Sequence, residues 1–176
     1  MPRNFPGAIV LVQHLDAQFV PGFASWLEDQ CDMPVRPAAG GDRPVPGSVL
    51  IAASADHLVF TAADELGYRA EPRDYAYRPS IDAFFESVAQ QWRGSAVGVL
   101  LTGMGRDGAR GLKLLRDKQH LTIAQDQATS AVYGMPKAAA AIGAASEILP
   151  LTAIASRLAE FCGQPVDEGG LARPRL

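Results

Sequence analysis

The sequence predicts an α/β domain: a doubly wound, mostly parallel sheet with helices on both faces and one β-hairpin. Two observations carry this expectation. Short β-branched runs alternate with longer segments of helical period, as in successive βαβ units. The runs are apolar almost throughout, as strands covered on both faces are. A chain of 176 residues suits one such domain, long enough to bury about 70% of its unfolded surface.

The elements follow in order. Residues 8–12 (AIVLV) read as a fully buried strand, and the next segment sets Phe19, Phe23, Trp26, Leu27 and Cys31 on one helical face. Residues 49–52 (VLIA) and 57–61 (HLVFT) read as a strand pair across a turn at 54–56, and residues 67–77 as an irregular surface loop. Ser80, preceded by Pro79, has the character of an N-cap. The helix it opens repeats Ile81, Phe84, Phe85, Val88 and Trp92 at i, i+3, i+4, i+7 and i+11, an amphipathic stripe. A strand at 97–101, a glycine-rich turn and a helix through Leu112 and Leu115 come next, then a strand at 121–124. A short Ala-rich helix starts at Pro136, and a last helix carries Ile154, Leu158 and Phe161. Residues 1–162 are expected to form the domain, and 163–176 a flexible tail.

Composition narrows the function. Hydrophobic residues make up 48% and charged residues 20%, with a net charge of −3, so neither nucleic acid nor an anionic membrane is favoured electrostatically. No apolar run approaches the roughly 18 residues of a membrane span. The first apolar run ends at Gln13 and His14 and does not read as a secretory signal. Cys31 and Cys162 lie in amphipathic segments and are expected to be reduced thiols of a cytoplasmic protein.

His14 falls at the carboxyl end of the first strand, where α/β proteins bind their ligands, and imidazole is the usual general base near neutral pH. A hydrogen-bonded structural histidine is the alternative there. In VGVLLTGMGRDGARGLKLL (97–115), Gly103, Gly105 and Gly108 let the chain turn from strand to helix, with Asp107 in the turn. A helix N-terminus favours an ionised carboxylate, and such a group can fix the tautomer of a nearby histidine. Asp107 also reads as an ordinary helix-start residue. The same glycines fit G-x-G-x-x-G with Asp126 following the next strand, so a nicotinamide-nucleotide-binding oxidoreductase is the competing reading. Ser54, Asp56 and His57 are better explained by a turn than by a local triad. The scattered histidines have no metal-binding spacing. None of the nine serines lies in a G-x-S-x-G elbow, so a nucleophile is not visible.

These residues carry a resemblance. IVLVQH, GSVLIAASADHLVF, YRPSIDAFFESVA, AVGVLLTGMGRDGARGL and TIAQDQATSAVYGMPKAA, in that order, resemble the catalytic domain of chemotaxis protein-glutamate methylesterases (CheB-type) from about Phe5 to Phe161. The resemblance implies a Ser–His–Asp hydrolase that removes methyl esters, and often deamidates glutamine, on the cytoplasmic helices of chemoreceptors. His14 would be the general base, Asp107 its orienting partner, and the Met104 backbone N–H part of the oxyanion hole. It implies no metal and no organic cofactor. The family's serine would fall ahead of Met1, as would a receiver domain. The chain is therefore expected to be N-terminally truncated and inert alone, or else to be a non-catalytic receptor-binding domain.

Overall fold

The computed structural model describes residues 5–62 and 64–163. The expected tail at 163–176 lies outside the described residues, apart from Gly163.

Two three-stranded parallel sheets form the frame. In the first, β1 (Ile9–Leu11) and β2 (Val35–Pro37) flank β3 (Val49–Ile51), with Ile9 and Val35 both in register with Val49. In the second, β6 (Val97–Leu100) and β8 (Glu147–Leu149) flank β7 (Leu121–Gln125). Between them in sequence comes an antiparallel hairpin of β4 (His57–Ala62) and β5 (Glu65–Arg69).

This pairing corrects the expected hairpin. The 49–52 strand does not pair with 57–61; it takes two parallel neighbours, because Val49, Leu50 and Ile51 are all buried and need cover on both sides. The true partner of β4 is β5, which runs into the first three residues, 67–69, of the segment expected to be irregular. Gly67 is accommodated there because a Cβ at that position would meet Thr61 across the hairpin at 2.6 Å.

Helices cover both faces. One core joins Leu50, Leu58, Leu100, Leu112 and Ala124, spanning both parallel sheets and the hairpin. It lies under α2 (Ile81–Gln91), α3 (Ala109–Asp117) and α4 (Met135–Ala141). A second core, from Phe5, Val20, Ala24, Met33, Val49 and Ile51, lies under α1 (Val20–Gln30) and takes Leu158 and Cys162 from α5 (Leu151–Phe161) and the turn after it. The alternation of β3 divides it between the two, Leu50 facing one core and its neighbours the other.

The α2 stripe is as predicted, with Ile81, Phe84, Phe85 and Val88 buried and Ser80 Oγ accepting the Ala83 N–H as N-cap. The α1 face is not. Val20 and Ala24 are its buried residues, while Phe19 and Trp26 are 59% and 56% exposed. Phe19 stands in a 3-10 turn ahead of the helix and so falls off its periodicity. The first strand is also less buried than its composition predicts. Both β1 and β6 are edge strands, with β1 half-buried along its length. Cys31 and Cys162 are free thiols.

Candidate active site

Two loops at the carboxyl ends of β1 and β6 bring the catalytic candidates together. His14 follows β1, Asp107 follows β6, and His14 Nε2 lies 2.7 Å from Asp107 Oδ2. The residues are 93 positions apart in sequence, so only the fold can place them there. A carboxylate at this distance accepts the Nε2–H. Nδ1 is then the unprotonated nitrogen of the neutral ring, and it has no hydrogen-bond partner among the described residues. That nitrogen is the one able to take a proton.

Asp107 is expected at the start of its own helix, and it does precede α3, whose N-cap is Gly108 in a left-handed conformation (φ 87°). Its carboxylate, however, reaches over to the N-terminus of α2. Oδ2 accepts the Ile81 N–H at 2.7 Å, and Oδ1 accepts the Asp82 N–H at 3.1 Å and the Ser80 hydroxyl at 2.8 Å. Burial alone would push this carboxyl up. The bonds from His14, Ile81 N–H, Ser80 and Asp82 N–H outweigh it and hold the group below the usual carboxylate range. Asp107 is thus an anion seated on a helix N-terminus, with one oxygen edge left for His14.

Ser80 was legible as a cap; its second bond, to Asp107, was not. Behind it stands the fully buried His57, whose Nδ1 accepts the Ser80 N–H at 3.1 Å and whose Nε2 therefore carries the proton, 3.1 Å from the Pro72 carbonyl. His57 makes no triad with Ser54 and Asp56; Ser54 Oγ caps the local turn by accepting the Asp56 N–H. Asp82, beside Asp107, has its carboxyl raised, chiefly by burial, against a lowering bond from the Gly111 N–H.

Met104 heads an exposed turn, with 76% of its surface accessible. Its backbone N–H makes no hydrogen bond among the described residues, as an oxyanion donor requires. The turn is clamped from one side by the segment before α4. Gly103 N–H donates to Val132 O at 3.0 Å, and the Gly134 and Met135 N–H groups return to Gly103 O at 3.1 and 2.9 Å. Thr102 Oγ1 bonds the Val132 backbone in both directions, and the buried Gln125 accepts the Thr102 N–H at 2.8 Å. Backbone meets backbone here: a Cβ on Gly134 would stand 2.6 Å from Gly103 O and 2.9 Å from Gly105 N. The VYGMP segment thereby holds the TGMG turn in shape, a role that its sequence alone did not disclose.

The glycines that suggested a dinucleotide site are used for this packing. A Cβ on Gly108 would meet Ile81 and Leu100 at 2.7 Å, and Asp126 closes its own turn by accepting from Thr129 N and Oγ1 at 2.9 and 2.6 Å. No group of three or more potential metal ligands occurs among the described residues.

A histidine bonded to a buried, ionised aspartate beside a preshaped turn, at the strand ends of parallel sheets, is an arrangement that hydrolases use. Comparison with known proteins identifies the family. The family model for CheB methylesterase matches residues 1–158, and the chain belongs to that family. It is 68% identical over 161 residues to a protein-glutamate methylesterase/protein-glutamine glutaminase of Mesorhizobium japonicum, covering 92% of this chain and 48% of that protein. It is 63% identical over 162 residues to a protein of the same description from Cupriavidus pinatubonensis, with the same coverages. The crystal structure of the Thermotoga maritima CheB methylesterase catalytic domain superposes with a TM-score of 0.85 at 32% identity, over 92% of this chain and 87% of that one. The chain spans about half the length of the full relatives it matches. Family membership replaces the oxidoreductase alternative. No described helix is long and apolar enough to cross a membrane.

Proposed function

We propose that residues 1–162 are the catalytic domain of a protein-glutamate methylesterase, with His14 as general base, Asp107 as its orienting partner and the Met104 N–H as an oxyanion donor. The observation that carries the reading is the 2.7 Å contact between His14 Nε2 and Asp107 across the ends of β1 and β6. It fixes the tautomer and leaves Nδ1 to receive the proton.

The nucleophile in this reading is a serine of the longer protein that lies in none of these 176 residues, on a strand seated between β1 and β6. Both strands have the apolar composition of interior strands yet stand at sheet edges, each with one hydrogen-bonding side unpaired among the described residues. The serine Oγ attacks the γ-ester carbonyl as His14 Nδ1 takes its proton. The oxyanion forms against the Met104 N–H, and methanol leaves with the proton returned from His14. Water then attacks the acyl-enzyme by the same relay, releasing glutamate and the serine. An amide in place of the ester releases ammonia, which is the deamidase reaction. The substrates are methylated cytoplasmic helices of chemoreceptors, the control element is a receiver domain of the same protein, and the setting is the cytoplasm.

The test is methanol release from methylated receptor by the full-length protein. His14→Ala and Asp107→Ala are expected to lower the rate by orders of magnitude. Near-wild-type turnover in both variants would refute the assignment.

A further inference from the structure

One hydrogen bond ties a ring along a single line. The bond from His14 Nε2 to Asp107 leaves the imidazole free to tilt about that contact and carry Nδ1 off its target. A second contact removes this freedom. The ring of Tyr77 lies parallel to the imidazole, with centroids 4.1 Å apart and planes inclined by 6°.

Tyr77 is itself held. Its loop is tied to the helices behind it through Tyr75, whose hydroxyl lies 3.1 Å from Glu86 Oε1 and 2.6 Å from Arg110 Nη2. Arg78 Nη2 closes the loop on Arg73 O at 2.8 Å. On the other side the Tyr77 hydroxyl rests against the bare Cα of Gly105, 3.0 Å from where a Cβ would stand. Gly105 has φ 88°, so the turn that presents Met104 also makes room for Tyr77. Tyr77 remains 36% exposed, so it carries little of the core and faces the open side of the site.

We infer that Tyr77 is a positioning residue for the base: its ring fixes the plane of His14 so that Nδ1 stays aimed at the nucleophile. This rests on the reading of His14 as general base. When Nδ1 takes the serine proton the ring becomes a cation, and the π-face of Tyr77 lies against it, an arrangement that stabilises imidazolium more than imidazole. The contact thus strengthens toward the transition state, which lowers the barrier without tightening substrate binding. The aromatic face does the positioning, and the hydroxyl is dispensable.

The test compares wild type, Tyr77→Phe, Tyr77→Leu and His14→Ala in the full-length protein on methylated receptor. Tyr77→Leu is expected to lower kcat about tenfold with KM held within about twofold, while Tyr77→Phe stays within about twofold of wild type. The His14 ring protons, lying over the Tyr77 ring, should shift in the proton NMR spectrum of Tyr77→Leu and hold their place in Tyr77→Phe. The inference is overturned if Tyr77→Leu keeps its kcat, if Tyr77→Phe falls as far as Tyr77→Leu, or if only KM changes, which would make Tyr77 a substrate contact. An inactive wild type or an active His14→Ala would instead overturn the function on which the inference rests.

Discussion

Replacing Ser80 by Ala tests the support under the Asp107 carboxylate. The hydroxyl makes two bonds: it donates to Asp107 Oδ1 at 2.8 Å and accepts the Ala83 N–H at 3.3 Å. Both lie in a buried setting, with Ser80 1% exposed. A hydrogen bond to a charged group contributes about 1.5–3 kcal/mol and an N-cap about 1 kcal/mol, so Ser80→Ala should destabilise the domain by about 2–4 kcal/mol. For a domain of this size that lowers the thermal midpoint by about 5–15 °C. The pH dependence separates the two parts. Asp107 has a depressed folded-state pKa, so its contribution is present above the unfolded carboxyl value and is lost as pH falls through the folded one. The charged-bond part of the Ser80→Ala deficit should fade below pH 3.8, the ordinary value of this group, leaving the cap. Chemical denaturation across that range is the assay. A deficit under about 0.5 kcal/mol at neutral pH would refute the structural reasoning.

Two further outcomes follow from the same geometry. Asp107→Asn should fold but lower turnover by about 10⁴-fold, because an amide no longer fixes the Nε2–H tautomer of His14; ester hydrolysis by the full-length protein within tenfold of wild type would contradict this. Gly134→Ala forces a Cβ against Gly103 O and Gly105 N, so the TGMG turn must open. We expect a loss of about 1–3 kcal/mol in stability with a larger proportional loss in kcat, measured by denaturation and kinetics side by side.

How far the sequence spoke for the structure depends on the range of each interaction. The strands at 9–11, 97–100 and 121–125 and the stripe on α2 were legible because apolar periodicity is local. The pairing of β3 was not, since adjacency in sequence favoured a hairpin while burial on both faces of Val49–Ile51 required parallel partners. Phe19 and Trp26 misled for local reasons: Phe19 precedes the helix in a 3-10 turn, and Trp26 stays exposed although Phe23, Leu27 and Cys31 pack on the second core. His14 and Asp107 were found through strand-end position, glycine context and family resemblance. Their supports were hidden. Ser80 had a sufficient local role as a cap, Tyr77 lay in a stretch without periodicity, and the contacts of Gly134 are backbone to backbone, for which no residue pattern is diagnostic.

His14 and Asp107, the proposed base and its partner, belong to different sheets of the molecule. His14 travels with the sheet of β1–β3, Asp107 with the sheet of β6–β8, and no strand pairing joins the two among the described residues. Their alignment is a gauge of how the two sheets sit against each other across the core they share. Misplacement by about 1 Å in such a constellation costs on the order of a hundredfold in rate, so a perturbation of the shared core around Leu50, Leu100 and Ala124 should be felt in turnover well before the domain unfolds.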